Sequence, residues 1–153
     1  MTLEVRAAKN SDSNDIKVVV FEVLREYGLT PDPGTTDKDL DAIEEYYHNN
    51  HGYFGVVERE GNIVATVGIY KINETTCELR KMYALPSQRG RGLGKYLVKF
   101  SLEKARTLGY KRMVLETDTS LFQAIALYKA FGFKEYKPDH LSCRCDQAYQ
   151  LML

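Results

Sequence analysis

The chain has no tryptophan, only four prolines and three cysteines, and no net charge, with 21 basic residues against 21 acidic ones. Each shortage excludes something. Three cysteines do not make a disulfide framework, and Cys143-Arg144-Cys145 with the isolated Cys77 lacks the spacing of a zinc site. His48, His51 and His140 are not placed to complete one. Reduced thiols and no metal are therefore expected. The balanced charge gives no global grip on nucleic acid, so no nucleic-acid partner is expected. No apolar run reaches the length of a membrane span, and the opening M-T-L-E-V has no signal-peptide core. The expectation is a cytoplasmic protein with no membrane partner. There is no repeat, low-complexity tract or linker, so the 153 residues read as a single domain, 1–153. Hydrophobic content of 44% is ordinary for a globular core.

The most informative stretch runs from Glu78 to Gly94, E-L-R-K-M-Y-A-L-P-S-Q-R-G-R-G-L-G. Glu78 to Leu85 reads as a strand, apolar at Leu79, Met82, Tyr83 and Leu85. Pro86 ends it, having no N–H to donate. Gly90, Gly92 and Gly94 follow, and an amphipathic helix begins near Leu93. Alternate glycines let backbone amides converge, and a helix N-terminus favours an anion there. Arg89 and Arg91 add positive charge. The stretch reads as a strand–loop–helix cradle for a diphosphate. It is neither the dinucleotide fingerprint G-x-G-x-x-G nor a P-loop, which ends in G-K-[ST].

The rest of the chain supplies a scaffold. Leu3 to Ala7 alternates as a first strand. Ser11 and Asp12 can cap a helix to about Tyr27, with Ile16, Val19, Val20, Val23 and Leu24 on one face and Gly28 as its stop. Gly28 to Thr35 is a loop. A second helix is expected from Thr36 and Asp37, with Leu40, Ile43 and Tyr47 inward. Its acidic face (Asp37, Asp39, Asp41, Glu44, Glu45) is either a solvated surface or a weak attractor of a cationic acceptor. Tyr53 to Glu58 and Ile63 to Ile72 pair through a tight turn at Gly61-Asn62. Leu93 to Leu108 is a helix closed by Gly109, followed by a strand from Met113 to Asp118. That order makes a parallel β-α-β crossover. Leu121 to Phe131 is a shorter helix closed by Gly132, and strands at Phe133 to Lys137 and Ala148 to Leu153 end the chain.

Two motifs in this order resemble the GNAT superfamily of acetyl-CoA-dependent N-acetyltransferases. Its Q/R-x-x-G-x-G/A motif is matched by Arg89-Gly90-Arg91-Gly92-Leu93-Gly94. Its A-I-x-L-Y-x-x-x-G-F segment is matched from Ala124 to Phe133, and Leu115-Glu116-Thr117 also resembles family members. The resemblance covers nearly the whole chain. It implies an α/β fold, a mixed twisted sheet of about seven strands with helices on both faces, whose fourth and fifth strands part around the acyl carrier. It implies that amides from Arg89 to Lys95 hold the pyrophosphate of acetyl-CoA, the co-substrate. Met82, Tyr83 and Ala84 would offer backbone groups to the pantetheine like an added strand, and Ala124 would line the same groove. The family often bulges its fourth strand here. The chain departs from the family at Leu121, where members often carry an Asn that bonds the pantetheine. Leu121 can only pack, with Phe122 or Gln123 as candidates to compensate.

The resemblance also implies roles in the chemistry. A lysine-like amine with a pKa of about 10.4 costs roughly 4.6 kcal/mol to deprotonate at pH 7, and an α-amine near 7.8 only about 1 kcal/mol. Glu78, six residues before Ala84, lies where some family members carry a catalytic Glu. A surface carboxylate at a strand start is the competing reading, and Glu116 or a water chain are the other bases. Tyr128 is the candidate general acid for the departing thiolate; a core tyrosine is its alternative. Amides near Ala84 would stabilise the oxyanion. The leading reading is acetylation of a small amine or amino-acid-like acceptor. The alternatives are protein or peptide N-acetylation, and an acyl-CoA-binding module without turnover. The acceptor side is expected between Tyr27 and Thr36, the second helix and the last loop; His48, His51 and Tyr53 either line that side or are plain surface residues. Family members often dimerise, so the resemblance allows a homodimer, but no stretch of the sequence fixes the oligomeric state.

Overall fold

Hydrophobic periodicity sets the elements of the computed structural model, which describes residues 3–153. In order they are β1 (Arg6–Ala7), α1 (Ser13–Glu26), α2 (Ile43–Tyr46), β2 (Tyr53–Arg59), β3 (Asn62–Lys71), β4 (Thr76–Ala84), α3 (Leu93–Thr107), β5 (Arg112–Thr117), α4 (Phe122–Ala130), β6 (Lys134–Tyr136) and β7 (Gln147–Met152). In α1, Ile16, Val19, Val20, Val23 and Leu24 are all buried, as their i, i+3, i+4 spacing requires. In α3 the buried stripe is Leu93, Leu97, Val98, Ser101, Leu102 and Ala105. Three helices stop in the same way: Leu29, Tyr110 and Phe133 donate back to Leu24, Ala105 and Tyr128 across Gly28, Gly109 and Gly132. Those glycines have positive φ, so the C-terminal motif needs them.

The strands form one sheet in the order β1-β2-β3-β4-β5-β7-β6, antiparallel except for the β4–β5 pair. Helix α3 is the crossover between those two parallel strands. Helices α3 and α4 pack on one face against Val67, Ile69, Leu79 and Met113. Helices α1 and α2 pack on the other against Phe54, Val56 and Ile63. The seven-stranded mixed sheet with helices on both faces is thus the expected architecture.

Several local expectations shift. The strand expected from Leu3 is paired only at Arg6 and Ala7. The β2–β3 hairpin turns on Glu60-Gly61, not Gly61-Asn62, because Asn62 already pairs with Arg59. Both turn residues have positive φ, 54° and 81°, the pattern a type I′ turn requires. The second helix is broken into a 3₁₀ turn at Lys38–Asp41, the single turn of α2, and a 3₁₀ turn at His48–Asn50. Its carboxylates explain the break. Asp37 and Asp39 turn inward to ion pairs instead of capping or facing water. Asp41 pairs with Lys17, and Glu44 and Glu45 accept from Asn10.

The bulge that the sequence left open is present in β4. Thr66 pairs with Tyr83 and Gly68 with Arg80, so Val67 faces two residues, Lys81 and Met82. Lys81 takes a left-handed φ of 53°, uncommon for a residue with a side chain. Its carbonyl accepts from the Thr66 hydroxyl at 2.6 Å. Its buried ammonium donates to the Thr36 carbonyl at 3.2 Å and lies 3.3 Å from both Asp37 and Asp39. Arg144, from the last loop, forks onto Asp37 at 2.9 and 2.8 Å. One buried cluster therefore ties two loops to the bulge.

Asp37 is the shared partner in this cluster. Burial acts to raise its pKa, but the Arg144 hydrogen bonds, the Asp32 amide and the Lys81 charge outweigh it and hold the carboxyl below its ordinary value. A lowered folded-state pKa contributes stability above the unfolded value, about 3.9, and loses it as pH falls through the folded one. Asp37→Asn should cost about 3 kcal/mol or more at pH 7 in urea unfolding, since it leaves two buried cations underpaired. The difference from the wild type should narrow below about pH 4.

Candidate active site

Strands β4 and β5 pair at three registers only, Thr76 with Arg112, Cys77 with Met113 and Glu78 with Val114. Beyond Glu78 they part. β4 bends at its bulge, while β5 continues on its other side with β7 as far as Thr117 and Gln147. The parting leaves the β5-facing edge of β4 unpaired from Leu79 to Ala84 and opens a cleft in the sheet. A cavity of about 750 Å³ fills its wide end, and a groove of about 200 Å³ leads from it toward the glycine loop. The two share Met82, Tyr83, Leu121 and Ala124, so they meet.

The groove is lined by Ala84, Arg89, Gly90, Gly92, Leu93 and Gly94, with Val23 from α1, Tyr27 just past its end, and Gln123 and Leu127 from α4. Gly90 and Gly92 both sit at φ 78°, and nothing lies within 4 Å of where a Cβ would be. Gly92 caps α3 without a side-chain hydrogen bond. The first amides of that helix thus have no intrahelical acceptor and stand beside open space. A diphosphate fits this cradle by charge and by room. Arg91 and Lys95, expected to belong to the loop, are exposed and outside the groove lining. Arg89 is in the lining, but its guanidinium is committed. It pairs with Glu26 at 2.5 and 2.8 Å, donates to the Ala84 carbonyl at 3.1 and 2.9 Å, and donates to the Tyr27 hydroxyl at 3.2 Å.

The wide end holds the groups that can do chemistry. Glu78, Glu116 and Tyr128 all line it. Glu78 is buried, 8% exposed, at the last paired register before the strands part. Burial pushes its pKa up, and the charge and hydrogen bond of Arg80 pull against that. The Arg80 guanidinium carbon lies over the Tyr70 ring, 3.8 Å from its centroid, a cation–π contact that helps fix the pair. Glu116 accepts the Ser142 amide at 2.8 Å. Tyr128 is buried against Phe133, ring centroids 5.7 Å apart. Its hydroxyl has no hydrogen bond to any described residue, and burial pushes its pKa up. A phenol held in its protonated form can give a proton away. Burial also pushes Tyr83 up, to about 12.

Of the residues singled out from sequence, Glu78, Tyr128, Met82, Tyr83, Leu121 and Ala124 come together at the wide end. His48 and His51 do not. Their Nε2 atoms donate to the Ala8 and Leu108 carbonyls, and their rings meet Tyr53 and Tyr110 edge-on, outside both cavities. Sequence reading missed Arg80, Lys81 and Arg144 as partners of the site's carboxylates. Two adjacent cations at buried or half-buried strand positions, the Arg80-Lys81 of β4, were the available signal. Among the described residues no group of three or more histidine, cysteine or acidic side chains is arranged to hold a metal. No helix among them is long and apolar enough to cross a membrane.

Comparison with known proteins gives three kinds of likeness. The sequence model of the acetyltransferase (GNAT) family matches residues 20–133. The uncharacterised N-acetyltransferase YjgM of Escherichia coli is 43% identical over 128 residues, covering 80% of this chain and 77% of that protein. A GNAT-family acetyltransferase of Staphylococcus aureus superposes with a TM-score of 0.90 at 21% identity, covering 97% of this chain and 98% of that one. The yncA protein of Salmonella typhimurium, solved with its cofactor acetyl-CoA, superposes with a TM-score of 0.77 at 20% identity, covering 99% of this chain and 94% of that one.

Proposed function

The chain belongs to the GNAT family of acetyltransferases, and on that premise we propose that it transfers an acetyl group from acetyl-CoA to a primary amine of a small or amino-acid-like molecule. Transfer is by direct attack in a ternary complex. The observation that carries this reading is the meeting of the two cavities. The glycine-lined groove opens at Met82 and Tyr83 into the cavity that holds Glu78 and Tyr128.

Acetyl-CoA supplies the acetyl group as an activated thioester. The amides at the start of α3 bind its diphosphate, and the unpaired edge of β4 from Met82 to Ala84 receives the pantetheine. Leu121 contributes packing to that arm, where relatives of the fold often use Asn. Glu78 takes the proton from the incoming ammonium. Its raised pKa brings it closer to that task than an ordinary carboxylate. Tyr128 gives its proton to the leaving sulfur. The bulge at Lys81 turns β4 so that its amides stand near the reacting carbonyl.

Three substitutions test these roles. Gly92→Asp puts a side chain and a negative charge into the cradle, where the positive φ already disfavours it. Acetyl-CoA affinity by calorimetry should fall at least about tenfold with the circular-dichroism spectrum kept; unchanged affinity would sink the cradle reading. Glu78→Gln should lower kcat at pH 7 and lose less at high pH, where the amine deprotonates itself; wild-type kcat should rise with pH through the raised pKa of Glu78. A mutant-to-wild-type ratio that stays flat across pH would move the role to Glu116 or water. Tyr128→Phe keeps the ring against Phe133 and removes the proton, so kcat should fall about 10²-fold with little change in KM for acetyl-CoA. The deficit should shrink for an acyl donor with a more acidic thiol, and full activity in a folded variant would reduce Tyr128 to a packing role.

A further inference from the structure

The wide end of the cleft carries three cations, and each already faces a carboxylate. Arg80 pairs with Glu78. Lys81 lies between Asp37 and Asp39, 3.3 Å from each. Arg144 commits both terminal nitrogens to Asp37 and one of them also to the Thr30 carbonyl. Two more carboxylates line the same wall with no cation beside them among the described residues. Glu116 accepts only the Ser142 amide, through one oxygen, and Asp118 only the amide and hydroxyl of Ser120. Glu78, Glu116 and Asp118 line the cavity with the three cations, and the buried Asp37 and Asp39 behind the wall already answer Lys81 and Arg144. With Arg80 answered by Glu78, the charges of Glu116 and Asp118 are left over, an excess of two formal negative charges.

That excess selects among acceptors. In a partly desolvated cavity a unit charge interacts several times more strongly than in water, so a cation is drawn in and an acid is repelled. The attacking amine has to lose its charge before it reacts, and so it is not the group that balances Glu116 and Asp118. We infer that the acceptor carries a second cationic centre and no carboxylate: it is a diamine rather than an α-amino acid. The inference rests on the acetyl-transfer reading of this cavity and narrows it. The second ammonium pairs with Glu116, whose other oxygen is unused. An α-carboxylate would meet Glu116 and Asp118 with no unpaired cation to receive it.

Matched acceptors test this by steady-state release of coenzyme A thiol. Lysine is cadaverine with one added carboxylate, and pentylamine is cadaverine with one ammonium removed. Cadaverine should exceed both in kcat/KM by about tenfold or more. Glu116→Gln should narrow the gap between cadaverine and pentylamine. Lysine equal to or better than cadaverine, or a cadaverine–pentylamine gap untouched by Glu116→Gln, overturns the inference and leaves acetyl transfer standing. Calorimetric titration of cadaverine and of lysine into the protein with coenzyme A present separates the remaining cases. Binding of cadaverine and not lysine, without thiol release from any amine, overturns acetyl transfer and supports the ligand class. No binding and no release overturns both.

Discussion

The buried ammonium of Lys81 is the constraint on which the rest of the site depends. A lysine at a bulge, in a left-handed conformation and nearly out of solvent, is unfavourable on three counts. It persists because Asp37, Asp39 and the Thr36 carbonyl surround it. Those partners come from the segment that follows α1, and Arg144 brings the last loop to the same carboxylate. Strand β4 is therefore held in its bent course from the side opposite α3. Its bend is what separates it from β5 and creates the cleft.

Two halves of the cleft follow different physics. The groove end offers backbone: positive-φ glycines, orphan amides and a strand edge. The wide end works with side chains whose charges are set by burial and by neighbours. Residues Met82 and Tyr83 belong to both, so the point where the thioester would lie is fixed by the strand that the bulge bends. This division also explains why the two ends read so differently in sequence.

The groove end was legible because its chemistry is local. Gly90, Gly92 and the start of α3 are contiguous, and so are the residues from Ala124 to Phe133. The same holds for the helix stops at Gly28, Gly109 and Gly132. The broken second helix was not legible. Its Leu40, Ile43 and Tyr47 have helical spacing and are buried, yet Asp37 and Asp39 are drawn into ion pairs with Lys81 and Arg144, the latter 107 residues away from Asp37. Partners that distant leave no periodic trace. The hairpin erred by one residue because Gly61 fits either position of a two-residue turn. The bulge was anticipated only through the resemblance, and no local pattern marks Lys81 as the residue that carries it.

Arg89 gives the glycine loop a further property. Its guanidinium is fixed between Glu26 and the Ala84 carbonyl, so its charge is largely answered before any ligand arrives. An anion in the cradle would then be held mainly through amide dipoles, which carry no mobile counterions. Screening by dissolved salt acts on separated, solvent-exposed charges far more than on such contacts. Only the exposed Arg91 and Lys95 contribute a share that salt can erode. If the groove takes a diphosphate as proposed, that grip would depend little on ionic strength, and the response to salt would be confined to the rim.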